Sequence, residues 1–302
     1  MAYNPTTQQW SLVFDGSDVG LGNVDVDGFA FLPNGHLLLS VDKDFKLSGF
    51  GPVDESDILE FIPGSYGPTT SGSYLLYFDG SDVGLDKSDE DVDAIDFEGN
   101  NLLISVAGEF KAQNVKGADE DLFKLSNFVS GDNTSGTWSL YFDGSDVGLT
   151  SSGEDLFGLW ADHANSKLYL STHDNFSVPG ASGDEDDIFV CTYSSLGATT
   201  ACTFSVVWDG DSAGFDDDAI DGLSIGAPPL VNDCITAANV ATSAQEMSPA
   251  CFIGTENQGS IAVDDTVEYP GDDANEPDPL DGEETDVEEA QNNAIFLPLI
   301  KQ

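Results

Sequence analysis

Apolar residues in this chain fall in short alternating runs, each closed by Gly, Asn, Asp or Pro. Leu37-Leu38-Leu39-Ser40-Val41, Leu102-Leu103-Ile104-Ser105-Val106, Ile58-Leu59-Glu60-Phe61, Leu122-Phe123-Lys124-Leu125 and Ile188-Phe189-Val190-Cys191 are examples. A period of two with aromatic and branched enrichment predicts strands, and no segment shows the longer period of an amphipathic helix. Pro33-Asn34-Gly35 and Glu98-Gly99-Asn100 mark turns between runs, because Gly and Asn tolerate positive φ.

The runs repeat. Phe14-Asp15-Gly16-Ser17-Asp18-Val19-Gly20-Leu21 returns unchanged as Phe78–Leu85 and Phe142–Leu149, then altered as Trp208-Asp209-Gly210-Asp211-Ser212-Ala213-Gly214-Phe215, at offsets of 64, 64 and 66 residues. After each copy come an acidic loop, an apolar run, a turn, a second strand, a Gly-containing loop, a third strand, and a fourth that leads into the next copy. Four antiparallel strands per repeat is the plan of a propeller blade. The predicted architecture is all-β: a four-bladed β-propeller with four-stranded antiparallel blades over residues 10–263. The N-terminal strand Trp10–Phe14 supplies the strand that the fourth repeat lacks and closes the last blade. A stack of sheets without closure is the alternative. Through its octapeptide and spacing, the stretch 10–226 resembles the tandem β-propeller repeats of uncharacterised exported bacterial proteins. That resemblance implies the fold and an extracellular address, and no established activity.

Beyond Ile225 the repeat decays. Residues 227–263 are expected to form irregular fourth-blade strands, Cys251-Phe252-Ile253 among them. Half of residues 264–289 are acidic, so 264–293 reads as a solvated, flexible linker. Residues 294–302 form an apolar C-terminal hook, similar to the short C-terminal segments of some exported bacterial proteins. Pro298 has no N–H to donate, which points to a sheet edge or a surface groove. The hook is expected to dock on its own fourth blade or on a neighbouring subunit, where strand addition would propagate self-association.

Charge narrows the function classes. There are 56 acidic residues against 8 basic ones, all Lys, for a formal net charge of −48. Phosphate-based nucleic-acid binding and anionic membrane surfaces are excluded by repulsion. Membrane insertion is not expected, since no apolar run approaches the ~18 residues of a span. Hydrophobic residues at 40% of the chain are enough for a core, which sets it apart from a disordered acidic chain. Met1–Gln9 lacks the layout of a signal peptide, so either the protein stays inside or a leader has been removed. The cysteines argue for removal. Cys191 and Cys202 flank a turn, and Cys234 and Cys251 enclose a second loop. Even count and local pairing predict two disulfides and an extracellular or cell-surface location, with four buried free thiols as the alternative.

The acids recur in register. Asn23, Asp25 and Asp27, then Asp89, Asp91 and Asp93, then Asp155, then Asp216 and Asp218 precede the first strand of each unit. Glu55 and Asp57, Asp119 and Asp121, and Glu185 and Asp187 precede the third. Alternate spacing turns such side chains to one side of an extended segment. Carboxylates gathered that way repel one another unless a cation sits among them. Oxygen ligands in loops suit Ca²⁺, which takes 6–8 of them. Asn23–Gly28 mimics the opening of an EF-hand loop, yet Asn34 stands where the bidentate Glu belongs and no helices flank it. A solvated, salt-adapted acidic face is the competing reading. For Asp15, Asp18, Asp79, Asp82, Asp143 and Asp146, turn-building and metal binding are equally open.

Enzyme-like signals are weak. Gly210-Asp211-Ser212-Ala213-Gly214 fits GxSxG, but it is the fourth copy of the octapeptide and lacks a strand-turn-helix context. His36, His163 and His173 occupy no repeated position and read as surface or turn residues. Nothing marks out one carboxylate pair for glycoside cleavage. The expected protein is a secreted, non-enzymatic, calcium-binding β-propeller, serving as a structural or adhesive surface module with a carbohydrate or cell-surface ligand. The alternative is an extracellular hydrolase or lyase with its site at the central opening.

Overall fold

The computed structural model describes residues 1–215 and 219–226, and the backbone of 294–296. An N-terminal hairpin comprises β1 (Ala2–Asn4) and β2 (Gln9–Ser11). The first repeat holds β3 (Phe29–Phe31), β4 (Leu37–Leu39), β5 (Phe45–Leu47), β6 (Gly51–Val53), β7 (Ile58–Ser65) and β8 (Ser71–Phe78). The second holds β9 (Val92–Glu98), β10 (Asn101–Val106), β11 (Phe110–Ala112), β12 (Val115–Gly117), β13 (Leu122–Val129) and β14 (Ser135–Phe142). The third holds β15 (Leu156–Asp162), β16 (Lys167–Thr172), β17 (Phe176–Val178), β18 (Ala181–Gly183), β19 (Ile188–Ser195) and β20 (Ala201–Trp208). β21 (Ser224–Gly226) and β22 (Ala294–Phe296) complete the described strands. The protein is all-β, and no helix among the described residues is long and apolar enough to cross a membrane.

Each of the first three repeats folds into an open four-stranded antiparallel sheet, in the orders β3-β4-β7-β8, β9-β10-β13-β14 and β15-β16-β19-β20. The Gly-containing loop between second and third strands is itself a two-stranded hairpin: β5-β6, β11-β12 and β17-β18. Four strands per repeat were expected, and six are present. The extra pair packs an aromatic ring on the third strand, with Phe110 stacked 3.7 Å from Phe123 and Phe176 4.1 Å from Phe189. Burying these rings is what makes the hairpin worth forming.

The fourth sheet runs β2-β1-β22-β21. It repeats the plan of the others with strands drawn from three distant segments. Tyr3 pairs with Trp10, as Phe61 pairs with Tyr74, Leu125 with Trp138 and Cys191 with Phe204. Trp10 Nε1 donates to the Ala213 carbonyl at 3.1 Å, as Trp138 Nε1 donates to Val83 at 3.1 Å. Of the expected strand Trp10–Phe14, Trp10 and Ser11 lie in β2, the edge of this sheet, and its partner β1 falls inside the polar stretch Met1–Gln9. The hook meets one of its two expected docking places, its own fourth sheet, but as an inner rather than an edge strand. Ala294–Phe296 lies between β1 and β21, paired on both sides within its own chain. Pro298 lies outside the described residues.

The octapeptide is a turn that locks successive repeats. The Asp15, Asp79 and Asp143 amides donate to Thr70, Thr134 and Thr200 in the third-to-fourth-strand hairpin of the next repeat, each at 2.9 Å. Gly20, Gly84 and Gly148 have φ of 97°, 94° and 105°, where a side chain would be strained. A Cβ at Gly144 would lie 2.3 Å from the Glu120 carbonyl oxygen. Gly144→Ala should therefore cost about 1–3 kcal/mol by pushing the octapeptide turn off the loop that precedes β13; urea unfolding of the variant checks this.

The core lies between sheets rather than within one. One apolar cluster joins Ile58 and Phe78 to Ile104 and Phe123, a second joins Leu103 to Leu159 and Phe189, and another joins Tyr3 to Ile188, Trp208 and Ile220. Cys191 and Cys202 form a disulfide across β19 and β20, with Cα atoms 5.3 Å apart. Cys234 and Cys251 lie outside the described residues. Replacing both Cys191 and Cys202 by Ser should lower stability by about 2–3 kcal/mol, the entropy of so short a closed loop. Equilibrium unfolding of the double variant against oxidised, disulfide-bonded wild type would measure it.

Candidate metal centre

The edge strands β3, β9, β15 and β21 of the four sheets contact one another: β3 meets β9, β9 meets β15, β15 meets β21, and β21 meets β3. Backbone bonds set where three of these segments begin. Val92, Leu156 and Ile220 donate to the carbonyls of Glu55, Asp119 and Glu185 in the preceding repeat. The residue before each is then Asp91, Asp155 or Ala219, and Asp27 stands 64 residues ahead of Asp91. Two positions further along, Asp93 and Asp221 alternate with Phe29 and Phe157. Five carboxylates from four repeats thus converge on one place.

Asp27, Asp91 and Asp93 each bring a carboxylate oxygen within 4.8 Å of the other two, close enough to share a metal ion. Asp93 is only 4% exposed, and Asp155 and Asp221 are also buried. Asp91 Oδ1, Asp93 Oδ2 and Asp155 Oδ1 are buried with no hydrogen-bond partner. Burial, then Asp91, Asp221, Asp42 and Asp25, push the Asp27 carboxyl up to about 9. Burial and the rim acids Glu55 and Asp42 bring Asp91 up to about 7. Burial, Asp119 and Glu120 raise Asp155 to about 8. Asp93 is driven upward by burial, then by Asp155, Asp27, Asp91 and Asp221. Negative charge removed from water without a counter-charge is the common cause. A bound cation would bring every one of these carboxyls back toward its ordinary range.

The remaining expected ligands are placed elsewhere. Asn23, Asp25 and Asp89 are exposed. Asp216 and Asp218 lie outside the described residues. Asp57 accepts the Asp54 and Gly80 amides at 3.0 and 3.2 Å, and Asp121 accepts those of Ala118 and Gly144 at 3.0 and 2.9 Å. Asp187 accepts the Asp184 amide at 3.4 Å. These acids recur because each caps the turn into a third strand and also holds the following octapeptide, at Gly80, Gly144 or Gly210. Glu55, Asp119 and Glu185 contribute backbone carbonyls to the centre's scaffold. Asp15 Oδ1, Asp79 Oδ1 and Asp143 Oδ1 accept the hydroxyls of Ser17, Ser81 and Ser145, while Asp18 and Asp146 hold the Thr70 and Thr200 amides. Turn-building is visible at those positions. Asp82, their counterpart in the second copy, is exposed.

Several functional positions were not expected. Asp221 was read as part of an apolar run; its 64-residue alternation with Phe157 and Asp93 is the signal that marks it. Glu90 is fully buried, accepting the Asp86 and Lys111 amides and the Lys87 ammonium at 2.8–3.1 Å. Glu154 does the same for the Thr150, Ser151 and Ser177 amides. His163 is not a plain turn residue: its Nε2 contacts the Phe97 carbonyl at 2.8 Å and its Nδ1 the Tyr141 hydroxyl at 3.4 Å. His36 pairs with Glu60 at 2.6 Å, and exposed His173 meets the Phe157 ring. Ser212 sits exposed in a single helical turn, Gly210–Ala213, with its amide bound to Asp209.

No family model, curated protein or solved structure matches this chain. The assignment of function rests on the residues themselves.

Proposed function

We propose that the chain is a four-bladed β-propeller that binds calcium at its centre and serves as an extracellular structural or adhesive module. Two features support the propeller: the cyclic adjacency of β3, β9, β15 and β21, and a fourth sheet assembled from both ends of the described chain. The observation that carries the cation is Asp93, buried among Asp27, Asp91, Asp155 and Asp221 with an oxygen bonded to nothing. An all-oxygen, all-carboxylate donor set favours a hard cation, and a cavity rimmed by loops tolerates the high coordination number of Ca²⁺ better than the strict octahedron of Mg²⁺. The Cys191–Cys202 disulfide agrees with an oxidising compartment.

The test is calcium titration of EDTA-treated protein by calorimetry. Wild type should bind calcium with magnesium competing poorly. Asp93→Asn, which keeps the shape and removes the charge, should weaken that binding at least tenfold. Equal affinity in the two proteins would remove the central cluster as the site.

A further inference from the structure

We propose a second divalent-cation site in the loop that opens the third strand of the third repeat, formed by Asp184, Asp186 and Asp187. It is separate from the central cluster and does not depend on it. One carboxylate oxygen from each of the three lies within 4.8 Å of the other two. Asp186 is 3% exposed, and its Oδ1 has no hydrogen-bond partner. Asp209 and Asp211, in the octapeptide copy packed on this loop, add further negative charge beside Asp187 and Asp186. The ion pairs of His36, Lys43, Lys87 and Lys124 all lie elsewhere.

The sister loops isolate what is special here. The first repeat has Asp54, Ser56 and Asp57 at these positions, and the second has Ala118, Glu120 and Asp121. Capping of the turn is the duty of the last residue: Asp57 and Asp121 bind the Asp54 and Ala118 amides at 3.0 Å. That duty explains Asp187, and it is met with Ala or Ser at the other two positions. In the first repeat the buried position is filled by a neutral hydroxyl, with Ser56 Oγ donating to the Leu85 carbonyl at 3.4 Å. The third repeat replaces that hydroxyl by a carboxylate and sets a second carboxylate, Asp184, against it. A buried carboxylate oxygen with no donor is costly, and turn geometry does not require a carboxylate here. Three oxygen donors with water completing the shell suit calcium or a lanthanide. Gly210 keeps the approach tight, since a Cβ there would stand 2.7 Å from Asp186 Cγ.

Terbium is the probe. Trp208 directly precedes Asp209 and pairs with Ile188, so it should sensitise emission from an ion held here. Asp186→Ser and Asp184→Ala place residues of the sister loops in slots that already accommodate them. Each should bind one terbium ion fewer than wild type and lose Trp-sensitised emission, with an unchanged far-ultraviolet circular dichroism spectrum. Asp93→Asn should keep that emission whether or not the central site binds, so the two sites fail separately. Calcium should also slow hydrogen exchange at Ile188–Val190 in wild type but not in Asp184→Ala. Undiminished stoichiometry and emission in both loop variants, or exchange at Ile188–Val190 indifferent to calcium, would overturn the proposal.

Discussion

Freed of divalent cations, the protein should lose stability as pH rises from about 4 to about 9, and millimolar calcium should abolish that loss. In the unfolded chain the aspartates titrate near 3.8, whereas folding raises Asp27 to about 9, Asp155 to about 8 and Asp91 to about 7. Between those limits the folded state binds more protons than the unfolded one. Stability therefore falls with pH across the window and levels off above the folded values. This is opposite in sign to a salt-bridged carboxylate. A tenfold gain in a carboxyl's proton affinity on folding is worth about 1.4 kcal/mol, so the cluster can consume a large share of a typical 5–15 kcal/mol margin. A cation bound to the ionised cluster stabilises the folded state by RT ln(1 + [L]/Kd) and favours the deprotonated form. Melting midpoints against pH in EDTA and in calcium, with high sodium chloride as a control, are the measurement. If sodium chloride restores stability as well as calcium does, screening suffices and the centre is no specific site.

Trp10→Ala should lower stability by about 3–5 kcal/mol, the cost of emptying a large aromatic site, and the melting midpoint by roughly 6–20 °C. Trp10 lies 5.0 Å from Tyr3, 6.2 Å from Trp208 and 5.7 Å from Phe215, and it bonds the Ala213 carbonyl. It is where the N-terminal hairpin grips the fourth octapeptide copy. Deleting Ala294–Gln302 should be at least as damaging, because among the described residues β22 alone joins β21 to the hairpin in the fourth sheet. Removing it opens both ladders at once. An unchanged midpoint in both variants would mean that the termini rest on the sheet without completing it. Monomeric behaviour of the intact chain, by light scattering, would accord with the pairing of Ala294–Phe296 inside one molecule.

Local and repeated features were legible in the sequence. Alternating runs found the strands because a pleated strand turns every second side chain to the core. The octapeptide found the repeat, and its Gly residues are required where the backbone reaches αL or where Gly144 touches Glu120. The Cys191–Cys202 pair was legible because a hairpin aligns residues eleven apart. Asp27, Asp91 and Asp155 were visible as candidates for the same reason that they converge, equal positions in equal repeats, whereas Asp93, whose counterparts are Phe29 and Phe157, showed itself only by its alternate spacing with Asp91. What tertiary structure decided is which acids gather and which merely cap. Asp57 and Asp93 look alike along the chain, yet one meets two backbone amides and the other only carboxylates. The fourth sheet was equally beyond reach of local pattern. Ala2–Asn4 is too short and polar a neighbourhood to announce a strand, and Ala294–Phe296 lies some 70 residues beyond β21. The near partner of β1 is only the equally short β2, and β22 pairs solely with strands far away in sequence, so the fourth sheet depends on tertiary contacts that no local pattern announces.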